Sequence, residues 1–174
     1  PFAFLRGAAI VMAADLATPE SAGPHLLRCG DCHLANFGSY TSPEGTPVFD
    51  INDFDETLAA PFEWDIKRLG TSLVLAGREN GASEKSARAL AVAMAQSYSA
   101  EMARLEPLTP LEIWTNRIDF SAAIDNFTNK HVRKQIRSRL DARLESAQQH
   151  FGLVSYDNTA PAFRERPPLV MRLP

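Results

Sequence analysis

Residues 25–56 of this chain read HLLRCGDCHLANFGSYTSPEGTPVFDINDFDE. Polar side chains in this segment stand beside glycines and turn residues, where predicted strands give way to loops; they are Asp31, His33, Asn36, Asp50, Asp53 and Asp55. Loops held by a rigid scaffold commonly carry binding and catalytic residues. We therefore expect the function of the 174-residue chain to lie in this segment and the remainder to be scaffold.

The segment predicts three short strands, at residues 25–28, 37–40 and 48–51. The turn residues at 42–45 are typical of a hairpin connection between the second strand and the third. Asp31 then follows the first strand, Asn36 begins the second and Asp53 follows the third. The polar side chains are therefore expected at strand ends and in loops.

Apolar residues at helical spacing predict five helices, spanning residues 3–17, 61–78, 83–105, 110–114 and 129–150. Pro61 suits the first turn of one helix, and Ser83 and Thr109 are candidate N-caps of two others. After residue 151 we expect a loop, followed by a strand at 169–173. The predicted architecture is a mainly helical α+β domain that contains a small β-hairpin.

The composition, 45% apolar and 22% charged, is that of an ordinary globular protein, so we expect residues 1–174 to form a single domain. A net charge of −3 gives no reason to expect nucleic acid or a membrane surface as a partner. Two cysteines and the lack of a long apolar run favour the cytoplasm. Because the chain begins without Met and stops in an apolar run, we expect it to be a fragment of a longer protein.

Residues 29–66 contain no Lys or Arg, while acidic residues accumulate there. An acidic segment of this kind either binds a cation or is a solvated loop surface. Arg6, in the otherwise apolar first helix, either runs along the protein surface or faces these acidic residues. The basic residues of helix 129–150 are interleaved with Asp141 and Glu145, which favours a solvated face over a phosphate-binding one.

The spacing of Asp31, Asn36 and Asp53 fits the chemistry of phosphoryl transfer. This reaction needs a carboxylate that orients the attacking hydroxyl, and a Mg²⁺ ion that lies against the phosphates. Mg²⁺ prefers oxygen ligands and usually takes only one or two protein carboxylates. Asn36 and Asp53 can supply these ligands, and Asp31 can accept the proton of the hydroxyl.

Residues 30–36, GDCHLAN, resemble the Gly-Asp-x-His-x-x-Asn catalytic loop of aminoglycoside-phosphotransferase-like kinases, and residues 53–55 resemble their metal-binding Asp-Phe-Gly motif. The resemblance implies a protein-kinase-like C-lobe that uses ATP and Mg²⁺. It implies that Asp31 is the catalytic base and that His33 orders the catalytic loop. It further implies that Asn36 and Asp53 are metal ligands and that Asp65 braces the loop. Asp55 departs from the motif, because it stands where these kinases have glycine, and we take it as a further candidate metal ligand.

A closer resemblance covers most of the chain. It is carried by residues 2–7, 29–38, 52–56 and 61–69, which look like the bacterial domain-of-unknown-function family 2252. That family is grouped with the kinase-like fold, and its glycine-rich segment follows the residues matched here. Because Gly-x-Gly does not occur in this chain, we expect the nucleotide lobe beyond Pro174 and expect the fragment alone to be inactive.

The spelling Cys29-x-x-Cys32-His33 also matches the c-type haem attachment pattern, and it offers three ligands to zinc or a pair of redox thiols. Haem does not account for Asn36 or Asp53. The hypothesis that accounts for most residues is a phosphotransferase that moves a phosphoryl group from ATP–Mg²⁺ to a hydroxyl on an unknown small molecule or protein. The alternatives are a binding or regulatory module that keeps the fold without turnover, and a c-type haem protein.

Overall fold

The computed structural model describes residues 1–17, 23–42, 46–151, 154–157 and 160–163. The helices in these ranges are α1 (Phe2–Arg6), α2 (Ala9–Ala17), α3 (Glu63–Glu79), α4 (Glu84–Leu105), α5 (Pro110–Thr115), α6 (Phe120–Asp125) and α7 (Lys130–Phe151). The strands are β1 (His25–Arg28), β2 (Phe37–Thr41), β3 (Pro47–Ile51), β4 (Leu58–Pro61), β5 (Val154–Asp157) and β6 (Ala160–Phe163). A 3-10 turn, Leu34–Asn36, precedes β2. The chain is a mainly helical α+β protein, as predicted.

The strands form three two-stranded sheets within the described ranges. β1 pairs antiparallel with β4, so that His25 lies opposite Pro61 and Arg28 lies opposite Leu58. β2 pairs with β3, and β5 pairs antiparallel with β6. Because β1 and β4 are antiparallel, α3 begins beside the residues that precede β1, where the backbone N–H of Phe62 donates to the carbonyl oxygen of Pro24 at 3.2 Å.

The three strands predicted between residues 25 and 51 are confirmed, but β4 was not predicted. Pro61 is not a first-turn proline, since it ends β4, and α3 begins two residues later at Glu63. The four residues of β4 are continuously apolar, and their partner β1 is distant in sequence. No local pattern marks such a strand, because a short apolar run has no periodicity of its own.

The predicted first helix is divided into α1 and α2. The backbone N–H of Gly7 donates to the carbonyl oxygen of Ala3 at 3.3 Å and ends α1, and α2 begins at Ala9. Glycine commonly follows the last residue of a helix. The prediction of one continuous helix was therefore wrong at Gly7, where α1 ends.

Two further elements correct the prediction near the end of the chain. Helix α6 was not predicted; Asp119 caps it by accepting from the backbone N–H groups of Ser121 and Ala122. Residues beyond 151 were predicted as a loop, but β5 and β6 form there. Proline in the segment suggested a loop, yet proline is tolerated in edge strands, and a two-stranded sheet has only edges. The predicted turn at 43–45 and strand at 169–173 lie outside the described residues.

Both predicted N-caps are confirmed. Ser83 accepts a hydrogen bond from the backbone N–H of Ser86 at 3.1 Å and begins α4. Thr109 and Glu112 form a reciprocal capping box at the start of α5, where Pro110 occupies the first turn. These signals depend only on neighbouring residues, which is why the sequence places the two helix starts correctly.

Helices α3 and α4 pack as a helical hairpin through small residues. A Cβ atom on Gly77 would lie 3.3 Å from the Cβ of Ala87, which is fully buried, and Gly70 faces Met94. Ring stacking of Phe62 on Tyr98 adds to the contact, with 6.4 Å between the ring centroids. One face of α3 is therefore fixed by α4, and a different face is left for the segment that follows β1.

The chain divides into two compact units. The first comprises Pro1–Tyr40 and Val48–Ile118 and contains the candidate site; the second comprises Thr41–Pro47 and Asp119–Pro174 and buries Ile124. The expectation of a single domain stays a prediction. Within the described ranges, no helix combines the length and the apolar character needed to cross a membrane.

Candidate functional site

One face of α3 carries three polar side chains that bind the segment after β1. Asp65, Arg68 and Ser72 stand at positions i, i+3 and i+7, which lie on the same side of a helix. Each of them contacts a different part of residues 29–36, which we call the site loop. The helix therefore fixes this loop along its length.

Asp65 binds the beginning of the site loop. Its Oδ2 accepts a hydrogen bond from the backbone N–H of Cys29 at 2.9 Å, and its Oδ1 accepts one from Gly30 at 3.1 Å. The same carboxylate pairs with Arg28, whose Nη1 lies 3.3 Å from Oδ1 and whose guanidinium lies 4.7 Å from the centroid of the Trp64 ring. These are the contacts that a loop-bracing role for Asp65 requires.

The site loop turns at Gly30, which has a φ angle of +90°. Glycine adopts this region without the steric cost that a side chain brings. A Cβ atom at this position would also lie 1.9 Å from the carbonyl oxygen of Glu56. The positive φ angle and the close approach of the Glu56 carbonyl oxygen therefore both require glycine at position 30.

Arg68 joins the site loop to the two N-terminal helices. Its Nε donates to Oδ1 of Asp31 at 2.7 Å, and its Nη2 binds the same oxygen. Nη2 also donates to the carbonyl oxygen of Leu5 at 2.8 Å in α1, and Nη1 approaches the sulfur of Met12 at 3.6 Å in α2. Because Arg68 is only 2% exposed, this guanidinium holds Asp31 from the protein interior.

Ser72 supports the last part of the site loop. Its hydroxyl oxygen accepts from the backbone N–H of Leu34 at 2.9 Å and donates to the carbonyl oxygen of Leu69 at 2.7 Å. The side chain is fully buried, and these two hydrogen bonds satisfy it. Leu34 begins the 3-10 turn that ends at Asn36, so Ser72 fixes the turn that carries this amide.

The polar side chains of the site loop are oriented by one another. Nδ2 of Asn36 donates to the main-chain carbonyl of Asp31 at 3.1 Å, and Oδ1 of Asn36 accepts no hydrogen bond from any described residue. Nε2 of His33 lies 3.4 Å from Oδ2 of Asp31, and the buried ring packs edge-on against Phe2. Arg68 thus holds one carboxylate oxygen of Asp31, and the other lies on the side of His33.

The segment after β3 is tied to the site loop through main-chain groups. The backbone N–H of Asn52 donates to the carbonyl oxygen of Asn36 at 2.9 Å, and the thiol of Cys29 donates to the carbonyl oxygen of Asp53 at 3.3 Å. The side chains of Asp53 and Asp55 are exposed, and Oδ1 of Asp53 accepts from the Asp55 N–H at 3.4 Å. The backbone of Asp53 is therefore anchored while its carboxylate remains accessible.

A cavity of about 430 Å³ brings most of the predicted site residues together. It is lined by Ala3, Arg6, Gly7, Asp31, His33, Ala35, Asn36 and Asp53. Asp55 lies close to the lining residue Asp53 in sequence but does not itself line the cavity. Asp65 does not line it either; it binds the backbone of Cys29 and Gly30 from α3. Arg6, for which the sequence left two alternatives, lies at the same cavity as the carboxylates of Asp31 and Asp53.

The oxygen groups of this cavity fit a hard cation. Nowhere in the described ranges do three or more His, Cys, Asp or Glu side chains form a metal-binding group. The residues that line the cavity include instead Asn36, whose amide oxygen accepts no hydrogen bond from a described residue, and the exposed Asp53. Mg²⁺ accepts such a sparse oxygen set because it keeps several water ligands, whereas structural zinc takes four nitrogen or sulfur ligands. The donor set therefore fits Mg²⁺ better than Zn²⁺.

Cys29 and Cys32 are free thiols, and each is only 6% exposed. Burial raises the pKa of the Cys29 thiol, and burial, with a smaller contribution from the nearby Asp65 carboxylate, raises the pKa of Cys32 to about 12. Metal ligation and disulfide exchange both start from an accessible thiolate. Neither sulfur meets that condition, and the sulfur of Cys29 is instead used to hold Asp53.

Sequence reasoning did not assign a function to Arg68 or Ser72. Both residues hold the site loop, through Asp31 and Leu34 respectively. The available signal was the spacing of polar residues at 65, 68 and 72 along one side of a predicted helix. Polar side chains on a buried helix face require partners, and these partners are expected at an adjacent loop.

The site is thus a polar cavity of carboxylate, amide, imidazole and guanidinium groups, formed by a loop that one helix braces. The chain belongs to the bacterial family described as "Uncharacterized protein conserved in bacteria (DUF2252)", whose model matches residues 1–174. No curated protein and no solved structure matches the chain. The resemblance to this family is therefore confirmed.

Proposed function

We propose that this chain is the catalytic-lobe segment of a kinase-like phosphotransferase, which transfers a phosphoryl group from ATP to a hydroxyl of a small molecule or protein. The observation that carries the proposal is the orientation of Asn36. Its amide nitrogen is bound by the carbonyl oxygen of Asp31, so its amide oxygen is the end left for a ligand. Asn36 lines the same cavity as Asp31 and Asp53.

Asp31 is the proposed acceptor of the hydroxyl proton. Its Oδ1 is held by Arg68, and its Oδ2 lies 3.4 Å from Nε2 of His33, so the plane of the carboxylate is fixed on both sides. A general base must be held within hydrogen-bonding distance of the proton that it accepts. His33 and Arg68 are in this proposal the residues that orient Asp31.

Asn36 and Asp53 are the proposed cation ligands, and Asp55, which is exposed and follows Asp53 by two residues, is proposed as a further ligand. Mg²⁺ at this position would neutralise the negative charge of the phosphates. The thiol of Cys29 and the backbone N–H of Asn52 fix the chain on either side of Asp53. The position of the Asp53 carboxylate is therefore set by the site loop.

A second proposal is a binding or regulatory module that takes the same nucleotide without turnover. It rests on the same residues, because Asn36 and Asp53 would bind the Mg²⁺ of a nucleotide whether or not the phosphoryl group is then transferred. Both proposals place the ligand in the same cavity, so nucleotide binding does not separate them. Turnover does.

The proposals are separated by measuring ADP formation from ATP and MgCl₂, with water as acceptor, in the full-length protein that contains this chain. We expect Asp31→Asn and Asp53→Asn to lower the rate by about 100-fold or more, because each removes a charge from the reacting groups. Asp50→Asn is the matched control, since Asp50 is exposed on β3 and does not line the cavity. Equal rates in all four proteins would refute the assigned roles, and nucleotide binding without turnover would favour the binding module.

The metal ligands are tested separately by titrating Mn²⁺ into the same protein and following free Mn²⁺ by electron paramagnetic resonance. Asp53→Asn should weaken Mn²⁺ binding by about tenfold, since it removes a charged oxygen ligand. A similar loss in Asp55→Asn would support its assignment as a ligand. Unchanged binding in Asp53→Asn would exclude the cation site proposed here.

A further inference from the structure

We propose that Arg6 binds a phosphate group of the ligand in this cavity. The assignment rests on the proposed phosphotransferase function and deepens it, because it names a residue that recognises the anionic part of the substrate. Arg6 is the last residue of α1 and lies at the cavity together with Asp31 and Asp53. Neither the resemblance to kinases nor the family match assigns a role to this arginine.

The backbone of Arg6 is fixed relative to the proposed catalytic base. Nη2 of Arg68 donates to the carbonyl oxygen of Leu5 at 2.8 Å and lies 3.5 Å from that of Arg6. The same nitrogen binds Asp31. One buried guanidinium therefore connects the end of α1 to the carboxylate, and the side chain of Arg6 begins from a defined position at the cavity.

The guanidinium of Arg6 is available to a ligand. The residue is exposed, and no carboxylate in the described part of the chain forms an ion pair with it. Other arginines of the same unit are already paired, including Arg28 with Asp65 and Arg78 with Glu84. An arginine with all its donors unused at a polar cavity is suited to an anion, because guanidinium binds phosphate oxygens in a bidentate manner.

The charges around the cavity also favour an anion once a cation is present. The carboxylates of Asp31 and Asp53 are balanced by the guanidiniums of Arg68 and Arg6. A divalent cation at Asn36 and Asp53 would leave the cavity with excess positive charge, which a phosphate group can neutralise. Electrostatic complementarity of this kind determines which ligand a site takes.

Small side chains leave space for this group beside Arg6. Ala3, Gly7 and Ala35 line the same cavity and fill little of its volume of about 430 Å³. A Cβ atom on Gly7 would meet only the carbonyl oxygen of Ala3, at 3.9 Å. The end of α1 thus combines one long cationic side chain with walls that do not obstruct it.

The inference is tested by calorimetric titration of inorganic pyrophosphate into the full-length protein. The buffer contains MgCl₂ and about 0.1 M NaCl, an ionic strength at which the Debye length is about 10 Å. We expect Arg6→Gln to weaken binding at least about tenfold, which corresponds to about 1.4 kcal/mol. Arg6→Lys, which keeps the charge but not the bidentate geometry, should lose about threefold. Arg104→Gln is the matched control, since Arg104 is exposed on α4 and pairs with Glu101 outside the cavity.

The outcomes separate this inference from the proposed function. Wild-type protein that does not bind pyrophosphate, or Arg6→Gln binding within twofold of wild type, overturns the role of Arg6 even where ATP turnover is found. Binding that depends on Arg6 in a protein that does not turn over ATP supports the anion site and refutes the phosphotransferase. Because Arg6 is exposed, the thermal unfolding midpoint of Arg6→Gln should equal that of wild type, which checks that the variant is folded.

Discussion

Arg68 holds Oδ1 of Asp31 with two of its nitrogens, from a position on α3 that is almost completely shielded from water. The pair links residues 37 positions apart in the sequence. Nη2 of Arg68 also donates to the carbonyl oxygen of Leu5 in α1, and Nη1 approaches the sulfur of Met12 in α2. Arg68 therefore joins the site loop to the two N-terminal helices.

Arg68→Met should destabilise the protein by about 3 kcal/mol, at the low end of the range for breaking a buried ion pair. The low end applies because the Asp31 side chain is 20% exposed, so its carboxylate keeps some contact with water when Arg68 is removed. The measurement is the free energy of unfolding in urea. Arg78→Met is the control on the same helix: its pair with Glu84 is exposed, so its unfolding midpoint should change little. Equal losses in the two variants would contradict the structural role given to Arg68.

Asp65→Asn should lower the free energy of unfolding by about 2 kcal/mol, because hydrogen bonds to a charged acceptor contribute about 1.5–3 kcal/mol. The amide retains one oxygen for the N–H groups of Cys29 and Gly30, and it loses the charge that pairs with Arg28. Hydrogen exchange at Cys29 and Gly30 should accelerate in the variant, which locates the loss in the site loop. Asp50→Asn, an isosteric change at an exposed position, should leave both measurements unchanged.

Gly30→Ala and Gly81→Ala form a matched pair, since both glycines have positive φ angles, of 90° and 79°. A Cβ atom on Gly81 would meet nothing within 4 Å, so that substitution should cost only the backbone strain of about 1–2 kcal/mol. Gly30→Ala adds the overlap with the carbonyl oxygen of Glu56 and should cost more than about 3 kcal/mol. Chemical denaturation of both variants checks the order, and equal losses would show that the site loop can move away from Glu56.

Cys32 should resist alkylation in the folded protein. With a pKa of about 12, caused mainly by burial, its thiol remains protonated at pH 8, and reaction with iodoacetamide should be at least about tenfold slower than in urea. The stabilisation that depends on the neutral thiol is complete below pH 9, the ordinary value for Cys, and is lost as the pH rises toward 12. Cys32→Ala should therefore have a flatter dependence of the unfolding midpoint on pH above 9 than wild type. Rapid labelling of native Cys32 would show that the thiol is accessible, as the redox alternative requires.

Local signals in the sequence predicted the parts of the fold that depend on neighbouring residues. Ser83 and Thr109 place two helix starts, because a cap and its first turn are contiguous. β4 was not predicted because the strand that it pairs with, β1, is far away in the chain. The division of α1 from α2 at Gly7 was also missed, since a single glycine within an apolar run does not reveal whether a helix continues.

The residues of the candidate site also divide into those that a local sequence signal predicts and those that depend on distant contacts. Asp31, His33, Asn36 and Asp53 were found because a short motif and its strand context name them, and the structure brings them to one cavity. Arg68 and Ser72 act through residues 37 and 38 positions away, and no motif spans that distance. What the sequence could have shown is the helical spacing that puts them on one side with Asp65.

This spacing has a consequence for how the chain can vary in length. Successive residues of a helix are rotated by about 100°, so a single inserted residue between Asp65 and Arg68 would turn Arg68 and Ser72 away from the loop that they bind. Substitutions on the opposite side of α3 leave the register intact, whereas an insertion or deletion in these two turns separates at least one of the three supports from the others. Within residues 65–72, positions other than Asp65, Arg68 and Ser72 should therefore tolerate a change of side chain better than the segment tolerates a change of length.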